Sequence, residues 1–171
     1  MIGYWLIPAE PHRTELAEIV RALAATHDAP VFEPHVTLYS NDSDKESARV
    51  LLDQIARQHR AVELAVGGVD HSEKFTKTLF LQFENTPEAQ QLSEAIRAHS
   101  ASEKQYEFDP HLSLIYVELP ADTKLAEARA IHDRFERVRF DALAAIEFPR
   151  PIKSRADVEA WRTIATATLS G

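Results

Sequence analysis

Phe32-Glu33-Pro34-His35-Val36-Thr37-Leu38-Tyr39 and Phe108-Asp109-Pro110-His111-Leu112-Ser113-Leu114-Ile115-Tyr116 repeat one pattern. Each sets an acid and a proline before a histidine and a hydroxyl two positions after it, in an apolar, β-favouring run. Successive side chains of a strand leave opposite faces, so histidine and hydroxyl share one face while their neighbours turn to the core. Two such strands brought together make a symmetric pocket with two imidazoles and two hydroxyls. These groups suit gripping a phosphate and moving protons on both sides of it.

A bare His-x-Ser/Thr match carries little weight, because eight histidines in this chain predict about one by chance. Requiring a proline before the histidine and an apolar residue after it lowers the expectation to about 0.02 per chain. Two hits then exceed coincidence. A third match, Pro11-His12-Arg13-Thr14, has charged Arg13 and Glu15 flanking its hydroxyl and a helical pattern following, so it reads as a chance match at a helix start.

The 171 residues and 44% apolar content suit a single domain over 1–171, built as two lobes sharing one core. The absence of cysteine removes disulfides, thiolate zinc sites and cysteine nucleophiles. A net charge of −8 argues against a surface that grips long nucleic acid, which needs a basic footprint. A small phosphate ester is the easier partner, since a few local groups meet its charge. The amino-terminal Met1-Ile2-Gly3-Tyr4-Trp5-Leu6-Ile7-Pro8 lacks a basic leader, and no run reaches membrane-spanning length. A cytoplasmic monomer without membrane contact is expected.

Along the chain, the spacing predicts a strand over 2–7 and a helix over 12–26 with Leu16, Ile19, Val20 and Leu23 inward. The first motif strand covers 35–40, and Asn41-Asp42-Ser43-Asp44 caps a helix to about Arg60 with Val50, Leu51 and Ile55 inward. Residues 61–70 and 75–84 read as a hairpin loosened at Gly67-Gly68, and Pro87 opens a helix to about His99. The second motif strand covers 111–118, a helix follows over 123–137, and 138–149 and 159–169 are closing strands joined by the basic turn Arg150-Pro151-Ile152-Lys153-Ser154-Arg155. Recurring hairpins make any sheet largely antiparallel.

These residues resemble the two-histidine (2H) phosphoesterase superfamily, whose members carry paired His-x-Thr/Ser motifs. Within it, Tyr4-Trp5-Leu6-Ile7-Pro8, Pro-His-Val-Thr-Leu at 34–38 and Pro-His-Leu-Ser-Leu-Ile-Tyr at 110–116 are similar to the cyclic phosphodiesterases of plants and yeast. The resemblance implies an α+β fold with a bilobal, pseudo-two-fold arrangement: two mainly antiparallel β-sheets facing a central cleft, helices outside. It implies hydrolysis of 2',3'-cyclic nucleotides or ADP-ribose 1'',2''-cyclic phosphate without a metal or other cofactor. It assigns catalysis to His35 and His111, phosphate binding to Thr37 and Ser113, and substrate contact to Trp5 and Tyr116. The bacterial RNA-ligase-like branch shares the motifs. A 2'-5' RNA phosphodiesterase or ligase-like enzyme and a non-catalytic nucleotide-binding module are therefore the alternatives.

Imidazole titrates near neutrality, so one histidine serves as base and the other as acid, with a bell-shaped pH dependence. Sequence symmetry does not rank them; the working assignment is His111 as base and His35 as acid. Phe75 and Lys77 are candidates for a stacking wall and a phosphate-attracting charge, against the plainer reading of a solvated hairpin. Arg150, Lys153 and Arg155 either steer an anion or form an ordinary surface loop. His27, His59, His71, His99 and His132 lack metal-ligand spacing.

Overall fold

The computed structural model describes residues 1–99 and 106–171. The amino-terminal apolar run is strand β1 (Ile2–Pro8), and the predicted helix follows as α1 (His12–His27). The helix buries Leu16, Ile19, Val20 and Leu23 and ends where Asp28 turns left-handed at φ 50°. Strand β2 (Val36–Asn41) carries the first motif, and Asp44 caps α2 (Lys45–Gln58) by accepting the Glu46 and Ser47 amides. Its inward face is Ala48, Leu51, Leu52, Ile55 and Ala56. Val50, expected inside, is 59% exposed, because one position before Leu51 on a helix points about 100° away from the buried stripe.

The hairpin is β3 (Val62–His71) and β4 (Leu79–Phe83). Its register shifts between Val66 and Gly68, where Gly68 adopts φ 150°, a conformation open to glycine. Phe75–Lys77, expected to begin the return strand, is instead a single 3₁₀ turn before β4. Thr78 holds this turn by donating its hydroxyl to the backbone carbonyls of Phe75 and Val117. Thr86 caps α3 (Pro87–Arg97), with proline in its first turn. The second motif strand β5 (His111–Ile115) is shorter than expected, and Pro120 precedes α4 (Ala121–Ile131). Strand β6 (Arg137–Glu147), helix α5 (Arg155–Glu159) and β7 (Arg162–Thr168) complete the chain. The basic turn conceals α5, which Ser154 caps by accepting the Asp157 amide.

Every ladder between these strands is antiparallel. The antiparallel strands expected to form two facing sheets are joined into one: they hydrogen-bond in the order β1-β2-β5-β4-β3-β6, and β6 pairs back to β1. Six strands thus close a barrel and β7 flanks β6. The eleven-residue β6 makes closure possible, meeting β3 through Arg137–Phe140 and β1 through Phe140–Glu147. A linear pattern of strands does not disclose that one serves two partners.

Alternation along the strands separates two environments. Leu6, Val36, Leu38, Leu112 and Leu114, all at 0% exposure, join the main core with the apolar stripes of α1, α2 and α3. Burying a leucine this fully is worth about 1.5–3 kcal/mol, so this face fixes the register of both motif strands. Trp5 and Ile7 face the other way, packing with Ala144 and Ile146 of β6.

Candidate active site

Val36 of β2 lies opposite Leu112 of β5. In an antiparallel pair this register sets His35 across from Ser113 and Thr37 across from His111, all four leaving the face away from the leucine core. The histidines are then diagonal neighbours, roughly 7–8 Å apart at their backbone positions. Neighbouring strands extend the surface: Trp5 of β1 lies opposite Thr37, and Phe80 and Gln82 of β4 lie opposite Ser113 and His111.

The acid-proline lead-in gives each imidazole its orientation. Proline holds the residue before it extended, which fixes the direction of the Glu33 and Asp109 carbonyls. His35 Nδ1–H donates to the Glu33 carbonyl at 2.7 Å, and His111 Nδ1–H donates to the Asp109 carbonyl at 2.8 Å. With Nδ1 as donor, the neutral ring carries its lone pair on Nε2, the nitrogen left to meet a ligand.

The surroundings of the two rings differ. His35 is 6% exposed, stacked on Trp5 with ring centroids 3.5 Å apart and planes at 8°, and edged by Trp161 and Phe32. Burial pushes it down to about 4, with the Glu33 carbonyl working upward and the charge of His111 working downward. His111 is also lowered by burial. The Asp109 carbonyl and carboxylate work upward on it, while Lys77 and Lys74 work downward. The Asp109 carboxylate lies 3.8 Å from its Nδ1.

His35, Thr37, His111 and Ser113 line one cleft of about 260 Å³, together with Trp5 and Tyr116. That is near the small end of ligand pockets and suits a small molecule. Thr37 makes no side-chain hydrogen bond among the described residues. Ser113 Oγ donates to the Thr76 carbonyl at 2.9 Å. Tyr116, raised by burial and hydrogen-bonded to Ser113, stacks on Phe32 at 4.1 Å.

Phe75 stays behind the wall, stacked on Tyr116 at 6.2 Å. Lys77 does not line the cleft: its ammonium bonds Asp109 Oδ2 at 2.7 Å and sits 4.3 Å above the Phe80 ring. In the basic turn, Arg155 bonds Asp28, and the cleft takes Ile152 instead of a cation. Arg13 of the third, chance motif pairs with Glu33 at 2.6 Å, and His12 packs edge-on to Phe135.

Sequence reasoning missed Trp161, Phe148 and Tyr106, which also line the cleft. No motif announces Trp161, but Gly3 betrays Phe148. A Cβ there would lie 2.8 Å from the Phe148 ring, so glycine lets that ring settle against β1. Among the described residues, no three His, Asp or Glu side chains gather as a metal site, and no helix is long and apolar enough to cross a membrane.

A family model described as the 2'-5' RNA ligase superfamily matches residues 8–148 of this chain. The chain belongs to that family. This is the two-histidine phosphoesterase superfamily that the motifs resemble. A protein named cyclic phosphodiesterase from Arabidopsis thaliana is 24% identical over 170 residues, covering 97% of this chain and 93% of the relative. A 2',3'-cyclic-nucleotide 3'-phosphodiesterase from Yarrowia lipolytica is 29% identical, covering 77% of this chain and 80% of its own. The fold matches E. coli LigT, solved with 3'-AMP, at a TM-score of 0.59 and 18% identity, covering 99% of this chain and 98% of that one. It also matches TT0787 of Thermus thermophilus at 0.62 and 16% identity, with the same coverage.

Proposed function

We propose that this 2H phosphoesterase superfamily member is a cyclic phosphodiesterase that opens a small nucleoside 2',3'-cyclic phosphate, or ADP-ribose 1'',2''-cyclic phosphate, with water as nucleophile and no metal. The observation that supports it most strongly is the shared face around the Val36–Leu112 pair, with two Nε2 atoms and two hydroxyls on one cleft. The relatives named for cyclic phosphodiester cleavage agree with it. Thr37 and Ser113 bind the non-bridging oxygens, the Ser113 proton rotating from the Thr76 carbonyl to the ligand as charge grows on phosphorus. The two motifs act as a pseudo-two-fold pair about the phosphate.

The environments favour reversing the sequence-level assignment of acid and base. His35, buried against Trp5 and neutral above about pH 4, is the proton acceptor. His111, with a carboxylate 3.8 Å from its ring, is the proton donor. Water attacks phosphorus and loses a proton to His35 Nε2. The bond from phosphorus to the ribose oxygen breaks as His111 Nε2–H protonates that oxygen. The product is a phosphomonoester.

The test is incubation of the purified protein, in chelator, with 2',3'-cyclic AMP, ADP-ribose 1'',2''-cyclic phosphate and a 2'-5' oligoadenylate. Turnover of a cyclic substrate with label from ¹⁸O-water in the product supports the reading. Cleavage of the oligoadenylate alone moves the assignment to a 2'-5' RNA phosphodiesterase, and binding without turnover to a nucleotide-binding module.

A further inference from the structure

Two copies of one motif orient two histidines alike, yet acid-base chemistry needs them unlike. The difference lies in what holds each lead-in acid. Glu33 pairs with Arg13 at the surface, where both side chains are more than 40% exposed, and only its backbone carbonyl is bonded to the His35 ring among the described residues. Asp109 is held from both oxygens: Oδ2 accepts from Lys77 Nζ and Oδ1 from Gln82 Nε2, each at 2.7 Å. Gln82 also donates to the Pro110 carbonyl at 3.1 Å, which ties the same amide to the peptide beside His111. The Lys77 side chain is 19% exposed and its ammonium rests on Phe80, and the Phe80 ring meets His111 edge-on at 5.6 Å. Lys77 also ends the 3₁₀ turn whose Thr76 carbonyl accepts from Ser113.

We propose that Lys77, Asp109 and Gln82 form a positioning cluster that fixes the His111 ring and keeps it the proton donor, so that the two motif copies work in opposite protonation states. The proposal deepens the reading of the cleft as a phosphodiesterase site and rests on it for the direction of proton flow. The Asp109 carboxylate favours the imidazolium through its charge and through the carbonyl of the same residue. Lys77 limits that effect, since its own charge opposes a second cation, while Gln82 holds the carboxylate in place without charge. Among the described residues, Lys74, His35 and Tyr106 also interact electrostatically with this assembly, the last pushed up to about 12 by burial and by the Asp109 charge.

The two ends of one ion pair therefore make opposite predictions, which a merely structural role would not. Asp109→Asn keeps the carbonyl and the shape but loses the charge. Lys77→Met keeps the stem and loses the ammonium. Titrating His111 by ¹⁵N NMR of the imidazole in the ligand-free protein reads the effect directly. Asp109→Asn is expected to move the midpoint down by about one pH unit, the scale of one adjacent opposite charge, and Lys77→Met to move it up by about half a unit. The His35 midpoint, which feels these changes only through the His111 charge, moves far less than the His111 midpoint in both. The alkaline limb of kcat/KM on the cyclic substrate should follow the His111 midpoint in each variant.

Midpoints that do not move, or that move together in one direction, overturn the proposal, as does an alkaline limb that ignores the NMR shift. If the unmodified protein hydrolyses no cyclic phosphate, the phosphodiesterase reading fails while the NMR arm still tests the cluster.

Discussion

Sealing His35 against Trp5 has a cost that appears as pH-dependent stability. In the folded chain the ring resists protonation down to about pH 4, whereas in the unfolded chain it takes a proton near 6.5. Below 6.5 the unfolded state binds the proton that the folded state refuses, so stability falls as pH drops through this window and levels off below 4. A shift of about 2.5 units corresponds to roughly 3 kcal/mol at the limit, and to about 2 kcal/mol by pH 4.5. His35→Asn removes the titration while its amide donates to the Glu33 carbonyl in place of Nδ1. Urea unfolding of both proteins at pH 7 and pH 4.5 isolates the effect, because His59 and the carboxylates are common to both and cancel, and His111 differs only by its charge coupling to His35. The unmodified protein should lose about 2 kcal/mol more than the variant on acidification. Equal losses would refute the reasoning, since they would mean that the stacked ring titrates as if in water.

Further outcomes bear on the chemistry. His35→Ala and His111→Ala should each lower kcat by about 10²- to 10⁴-fold in steady-state assays, the usual contribution of one proton-transfer group. Both histidines are lowered, so kcat/KM should follow a bell whose maximum lies on the acidic side of neutrality, with an acid limb near pH 4 from His35 and an alkaline limb below 6.5 from His111. Leu112→Ala, under the seam between the motif strands, should cost about 2–5 kcal/mol in denaturant unfolding, because the residue is fully buried between Val36 and Leu81.

Local patterns disclosed most of the elements and the four central residues of the cleft. The alternation in Pro-His-Val-Thr-Leu and Pro-His-Leu-Ser-Leu fixes which side chains share a face whatever the partner strand is. Helical stripes such as Leu16-Ile19-Val20-Leu23 are equally self-contained. What stayed hidden depends on long-range pairing. Closure through β6 places Trp5 beside Ala144, and Trp161 reaches His35 only after α5 reverses the chain. Lys77 reads as an anion-attracting charge on its own hairpin; its commitment to Asp109, 32 positions later, exists only in the fold. The unequal burial of two near-identical histidines is equally invisible in their shared motif.

Each imidazole takes its orientation from a carbonyl two positions upstream on its own chain segment. The aim of each ring is thus encoded in a tripeptide, while the cleft walls come from distant pieces such as Phe148 and Trp161. Ring orientation and most of the wall composition are therefore set by different parts of the chain. Replacing the wall around Phe148 and Ile152 while keeping Trp161, whose edge helps bury His35, should retune which ligand is accepted and leave the aim of both rings in place, which makes this scaffold a convenient starting point for altered specificity.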